Sequence, residues 1–413
     1  MNDVVSCREF GLVPVGGHSG LVDRELEHLV KLRETGPSFF TEERRAGGWH
    51  CRFAGFAGAI MMPGGRTLEI LPKIAGETET AARSLIMRML AATRLAPAIE
   101  HDLDAYASSP HLIEAYLRLA ADLALKQLRR GLVHAYRRLD LRLPVVRGRL
   151  RMAAQLARLP ERVDAHLLNA DEFTADTEIN RAIKGGIGQI ERLSRVTDTR
   201  ARCYELLARL DAVGAPPREL RRLAALLQGL VLDRRHAHFG ALIHVLKLIV
   251  MGRGSAAAAG ADAPGPAWLF AMDQLFEAYV AERLQQIASA VEIAIQGPVR
   301  SFSVDGAFPL RPDIVVLAAG RPVLVLDTKW KLLDRGLSDV DSADLRQVYA
   351  YARVYGVDRA LLAYPGTTAA KSLRQDFIVN DGSAIRISVC QLPLFEDDTG
   401  ELDRVLCHLI AHE

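Results

Sequence analysis

Residues 311–331, RPDIVVLAAGRPVLVLDTKWK, constrain this chain more than any other stretch. Two runs of valine, isoleucine and leucine flank AAGRP, where glycine and proline punctuate the chain. The segment therefore reads as two short strands joined by a turn. Asp313 lies on the first strand, and Asp327 and Lys329 lie near the end of the second. Side chains two apart on a strand share a face, so Asp327 and Lys329 point the same way. Pairing the strands as a hairpin brings Asp313 to them. Two carboxylates and an ammonium at one spot on a sheet are costly unless something compensates. A divalent cation would do so; a structural ion pair is the plainer reading of the same cluster.

Composition sets the frame. At 413 residues the chain is long enough for two or three domains. Its 49% hydrophobic residues supply substantial cores, and its 25% charged residues are ordinary for a globular protein. A net charge of +2 excludes a uniform polycation, so any nucleic-acid surface must come from local clusters of arginine. Cys7, Cys51, Cys203, Cys390 and Cys407 are scattered and form no CxxC pair. That speaks against a disulfide framework or a zinc site and fits a reducing cytoplasm. The start, MNDVVSCREF, has no signal-peptide pattern, and the most apolar run, ALIHVLKLIVM, is interrupted by His244 and Lys247. The expectation is a soluble, cytoplasmic, multidomain α+β protein.

Four segments follow in order. Residues 1–76 form a β-rich N-terminal domain, with strands in VVSCREFGLVPV, WHCRFAGFAGAIMM and TLEILPKI and one helix around LVDRELEHLVKLRE. Residues 77–252 are a mainly helical middle region. Within it, DLRLPVVRGRLRM breaks the helices as a strand or extended connection. Between Lys126 and Arg151 nine basic residues accompany a single acid, Asp140. Two readings of that run stand side by side: a solvated helix face with a basic loop, or a phosphate-contacting surface or an arginine presented to a nucleotide. KGGIGQ lacks the preceding strand and the GK[ST] ending of a phosphate loop, so it marks a close contact inside a helix capped by Asp176 or Thr177. His236 and His238, like His408 and His412, lack the acidic or cysteine neighbours that would make a metal site. Residues 253–266, rich in alanine, glycine and proline, are the linker and the main domain boundary.

Residues 267–413 follow as an α/β domain. WLFAMDQLFEAYVAERLQQIASA predicts an amphipathic helix carrying Glu277. Strands in VEIAIQG, RSFSVDG and the opening hairpin come next, then a helix over SDVDSADLRQVYAYARVYG and strands in DRALLAYPG and AIRISVCQL. Asp313 and Asp327 offer hard oxygen ligands, which select Mg²⁺ or Mn²⁺ over zinc. Thr328 can add its backbone carbonyl, and Glu277 a further carboxylate from the helix beside the sheet; an exposed charge is the plainer reading of Glu277. Lys329 would orient or deprotonate a water, or offset charge on a pentavalent phosphate. Gln347 and Tyr351, four apart, share a helix face.

A PD on one strand, DxK on the next and QxxxY on the following helix is the motif order of the PD-(D/E)xK nucleases in their RecB-like branch. The segments LEILPKI (68–74), RGRL (147–150), DEFTADTEINRAIK (171–184), MDQLFEAYV (272–280), RPDI (311–314), LDTKWK (326–331) and DLRQVYAYA (344–352) extend the likeness over nearly the full length. In these the chain resembles the McrC family, nuclease subunits of McrBC modification-dependent restriction systems. The linker is long for that family. The resemblance implies a C-terminal PD-(D/E)xK domain that cuts double-stranded DNA with Mg²⁺, with Asp313, Asp327 and Lys329 catalytic and Gln347 and Tyr351 lining the site. It implies an N-terminal part that docks on an AAA+ GTPase hexamer, McrB, which reads the 5-methylcytosine. This chain has no Walker motif, hence no nucleotide site of its own. Arg147, Arg149 and Lys331 are the candidate contacts to DNA or partner. A non-catalytic adaptor that activates the GTPase, or a standalone RecB-like repair nuclease, are the competing readings.

Overall fold

Ala267–Ala271, expected to open an amphipathic helix, is a strand buried along its whole length. The computed structural model describes residues 4–17, 20–74, 78–95, 103–157, 165–251, 267–366, 374–394 and 399–411. AWLFA is apolar at five successive positions, so it has no period to distinguish helix from strand; a free sheet edge decides it. That edge belongs to Phe56–Met61, to which Ala267–Ala271 pairs antiparallel. The completed sheet runs Val4–Arg8, Thr67–Leu71, Phe56–Met61, Ala267–Ala271, with the first pair parallel. Gly58, at φ +146°, makes the approach possible: a Cβ there would stand 1.8 Å from the Trp268 carbonyl oxygen. Ala267 and Leu269 share a core with Leu29, Phe39, Phe40, Phe53 and Leu68. A smaller sheet orders Leu12–Pro14, Gly48–Phe53, Phe40–Arg45. Its last strand was not predicted, because FTEERR carries charge where alternation would show.

The chain divides into two compact units, residues 1–115 with 252–413, and 116–251. The β-rich start and the C-terminal α/β part, read from the sequence as separate domains, lie in one unit. The linker 253–266 lies outside the described residues. LEILPKI shows how the first unit is knit. Glu69 is fully buried and accepts hydrogen bonds from Arg83 Nε (2.9 Å), Arg83 Nη2 (2.7 Å) and Leu112 N (2.7 Å). Its charge is thus both paired and solvated by donors, as burial requires.

A second, six-stranded sheet orders Glu292–Ile295, Ile314–Ala318, Arg321–Thr328, Arg359–Gly366, Arg386–Pro393, Arg374–Ile378. The expected hairpin is its centre: Ile314 pairs with Leu326 and Val315 with Val325, antiparallel. Arg321–Thr328 then pairs parallel with Arg359–Gly366 across the helix Ser342–Tyr355. That helix starts where the Asp341 side chain accepts the Ala343 N–H and ends at left-handed Gly356 (φ +65°). RSFSVDG, expected as a strand, contributes only Arg300–Ser301 to a two-stranded pairing.

In the other unit, Ala135–Leu143, Arg149–Leu150 and His166–Thr174 form a three-stranded antiparallel sheet. DLRLPVVRGRLRM, expected as a strand or extended connection, supplies the end of the first strand and the short second one. The rest of the ribbon was not expected, because most positions of Ala135–Leu143 face solvent and no apolar period announces them. DEFT, expected to lead into the helix, is the end of its long return strand. Helix Glu178–Leu193 is capped by Thr177, whose hydroxyl accepts the Asn180 N–H. KGGIGQ lies within it as a close contact, as expected. A Cβ on Gly185 would meet Leu223 Cδ1 at 2.5 Å, and one on Gly186 would meet Leu246 Cδ2 at 2.7 Å. No helix among the described residues is long and apolar enough to cross a membrane.

Candidate active site

The hairpin register sets the site. With Ile314 opposite Leu326, Asp313 lies just before the first strand and meets the end of the second. Asp313 Oδ2 accepts hydrogen bonds from the Thr328 N–H and from Thr328 Oγ1, both at 2.7 Å. Asp327, one residue earlier, is 2% exposed. Its Oδ2 is buried without a hydrogen bond of regular geometry, yet Lys329 Nζ stands 2.6 Å away. Distance governs an ion pair more than angle does, so that contact is the one that counts. Lys329 lies one residue past the strand, which ends at Thr328, and its N–H donates to the Ala363 carbonyl at 2.9 Å.

The helix Ser342–Tyr355 closes the cluster. Lys329 Nζ donates to Gln347 Oε1 (2.9 Å), and Gln347 Nε2 donates to the Tyr351 hydroxyl (2.8 Å). Asp327, Lys329, Gln347 and Tyr351 therefore form one connected chain of polar contacts. Asp344 was missed by sequence reasoning. It is buried, stands 3.8 Å from Lys329 Nζ, and accepts from Lys331 Nζ (2.7 Å) and the Tyr364 hydroxyl (3.2 Å). Its position three before Gln347, on the same helix face, was the available signal. Lys331, expected to contact DNA or partner, is paired with Asp344 and half exposed.

Charge crowding tunes the group. Burial first, then the Asp313 charge, push Asp327 up to about 6 against the opposing pull of Lys329. Burial and Asp313 push Glu277 up to about 7, with Gln296 Nε2, 3.2 Å from Glu277 Oε1, working the other way. For Lys329, burial opposes the charged form, but the Asp327 contact and the charges of Asp327, Asp344 and Asp313 outweigh it and hold the ammonium protonated. Burial and the Asp327 charge raise the Tyr351 phenol. Glu277 thus feels Asp313 and Asp327. Among the described residues, though, no group of three or more His, Cys, Asp or Glu side chains gathers closely enough to hold a metal ion. Two carboxylates suffice for Mg²⁺, which keeps several waters and completes its shell with substrate oxygens. The buried Oδ2 of Asp327, close to the single cation Lys329, and the mutual repulsion of the carboxylates fit such an ion.

Arg147 and Arg149 lie on the exposed end of the ribbon in the other unit. His236 pairs with Asp233 at 2.7 Å. His412 lies outside the described residues.

A mixed α/β protein of several sheets, with carboxylates, a lysine and a glutamine–tyrosine pair gathered at the end of one hairpin, is the class that fold and site define. The particular family follows from the model for the McrBC 5-methylcytosine restriction system component, which matches residues 51–365. The chain belongs to that family. Among solved structures it is similar to one described as a half-complex from a tetradecameric assembly of Thermococcus gammatolerans McrB AAA+ hexamers with bound McrC. The TM-score is 0.75 at 19% identity, over 98% of this chain and 99% of that one. A second, the Thermococcus gammatolerans McrBC complex, matches with TM-score 0.51 at 16% identity, over 69% and 88%. No curated protein matches the chain.

Proposed function

We propose that this chain is the DNA-cutting subunit of a modification-dependent restriction complex, an endonuclease of the PD-(D/E)xK type. The observation that carries the reading is the connected set Asp313–Thr328 and Asp327–Lys329–Gln347–Tyr351 at one end of the central hairpin. Asp313 and Asp327, with the Thr328 carbonyl, would hold Mg²⁺ or Mn²⁺, and Glu277 would serve from the neighbouring helix. Bound there, the ion supplies a Lewis acid for a phosphate oxygen and lowers the pKa of a coordinated water.

The chain's own residues do the rest. Lys329, kept protonated, faces the place where charge grows on the phosphate and stabilises it. Gln347 fixes the ammonium by accepting from it, and Tyr351 fixes Gln347. Gln347, with Tyr351 behind it, would help to position the DNA backbone. The family, and the likeness to a McrC that binds McrB AAA+ hexamers, support an AAA+ GTPase ring as the partner, with Arg147 and Arg149 available to it or to DNA. The five free cysteines fit action in the cytoplasm.

The test is cleavage of modified double-stranded DNA by the full-length chain combined with its AAA+ partner, Mg²⁺ and GTP. Asp327→Ala should abolish cutting while the partner's GTPase stimulation persists. Undiminished cutting by that variant would remove Asp327 from the site. An adaptor role is the outcome if the wild-type complex stimulates GTP hydrolysis and never cuts.

A further inference from the structure

Trp330, immediately after Lys329, is gripped by residues from the far end of the sequence. Its Nε1–H donates to Glu9 Oε2 at 2.9 Å, and its carbonyl accepts from Lys73 Nζ at 2.8 Å. Glu9 and Lys73 are joined to each other, since the Lys73 N–H donates to Glu9 Oε2 at 3.1 Å. Both flank the N-terminal sheet: Glu9 follows Val4–Arg8, and Lys73 follows Thr67–Leu71, its neighbour in that sheet. The Trp330 ring packs on Phe276 with centroids 5.4 Å apart, and Phe276 adjoins Glu277. One buried indole thus touches the N-terminal sheet, the helix bearing Glu277 and the peptide of Lys329.

We infer that Glu9 and Lys73 are positioning residues for Lys329, acting through Trp330. The inference rests on the nuclease reading. Lys329 lies one residue past the end of its strand. Its N–H still donates to the Ala363 carbonyl at 2.9 Å, but the paired register stops at Thr328, and beyond that bond the ladder leaves the chain free. Its ammonium bridges Asp327 Oδ2 and Gln347 Oε1, at 2.6 and 2.9 Å, so a small backbone shift disturbs both contacts. Holding the next residue at two points, by its side chain and its carbonyl, removes that freedom. Glu9 is buried, and its Oε2 accepts both the indole proton and the Lys73 N–H, so the carboxylate ties the indole to the edge of the N-terminal sheet. Neither Glu9 nor Lys73 touches the catalytic carboxylates, so their effect falls on turnover rather than on DNA affinity.

The experiment uses the full-length chain with its AAA+ partner, Mg²⁺, GTP and modified DNA. In parallel, the free chain carries ¹⁵N-labelled tryptophan, giving indole signals from Trp49, Trp268 and Trp330; loss in Trp330→Phe assigns the third. Glu9→Leu removes the acceptor, Trp330→Phe keeps the ring and removes the donor, and Glu9→Gln keeps an acceptor oxygen. Glu9→Leu should shift the Trp330 signal. It and Trp330→Phe should each lower kcat on the order of 10- to 100-fold, with KM for DNA within about twofold. The double variant should be no slower than the worse single one, because both break one contact. Glu9→Gln should recover most of the rate. A Trp330 signal that shifts while kcat stays within about twofold of wild type overturns the inference, as does a signal that Glu9→Leu leaves unmoved. If Glu9→Leu does not fold, Trp330→Phe carries the same test. A wild-type complex that stimulates GTP hydrolysis and never cuts would instead defeat the nuclease reading, and the indole shift would still report the clamp.

Discussion

Two antiparallel strand pairs in this protein use charge in opposite ways. In the ribbon, Ala135–Leu143 against His166–Thr174, charges are spread along exposed positions and answered singly, Arg138 by Asp171 across the strands at 3.4 Å and Asp140 by Arg151, just past the short strand Arg149–Leu150, at 2.6 Å. Water screens such pairs, so each contributes little to stability. In the central hairpin, Ile314–Ala318 against Arg321–Thr328, the strands are apolar and buried, and the charges are gathered at one end. There the medium screens weakly, like charges raise one another's pKa, and one lysine serves several carboxylates. Spread charge makes a solvated surface; gathered charge makes a cluster whose members shift one another's protonation.

The sharpest way to break this comparison is at Lys329. Lys329→Ala should cost cleavage about 10³-fold or more, since one stabilising charge aimed at the phosphate is lost, while Arg138→Ala leaves cleavage unchanged. Rates measured with the reconstituted complex decide it; equal losses would erase the distinction. Next in size is Leu326→Ala, which empties a fully buried site and should lower unfolding free energy by about 2–5 kcal/mol in denaturant titration. A loss below about 0.5 kcal/mol would show that the hairpin is not the core it resembles. Smaller is the combined Arg147→Ala and Arg149→Ala change. It should weaken DNA or partner binding roughly tenfold at low salt, with a shallower salt dependence and unchanged thermal stability. Binding that is equally salt-dependent would remove the ribbon from the interface. Smallest is Arg138→Ala in its stability effect: within about 0.5 kcal/mol of wild type, because both side chains of its pair are well exposed.

The same contrast explains what could be read beforehand. The central hairpin was legible because its valines and leucines are dense, its turn carries glycine and proline, and a two-residue period puts Asp327 and Lys329 together. The contact at 2.6 Å agrees. Gln347 and Tyr351 were legible from a spacing of four, and they hydrogen-bond to each other. Gly185 and Gly186 were legible as close contacts because the phosphate-loop alternative lacked its strand. The ribbon was legible only in part: DLRLPVVRGRLRM reads as extended, but the first strand is mostly exposed and charged, and the return strand HLLNADEFT has no two-residue apolar period. Asp344 hid as an ordinary helix charge until its lysine and tyrosine partners were in place.

By itself the sequence determined the local matters: which residues offer hard oxygen atoms, where the central hairpin and its helix run, that Asp176 or Thr177 caps a helix, and the family those motifs resemble. Each follows from period, cap or turn chemistry within about twenty residues. Tertiary structure alone decided that AWLFA completes the N-terminal sheet. It also decided that the first 115 residues share a unit with the last 162, and that Glu9 and Lys73 hold the residue beside Lys329. The reason is physical. A uniformly apolar strand or a buried glutamate carries no record in its own neighbourhood of which distant backbone edge or indole proton will satisfy it.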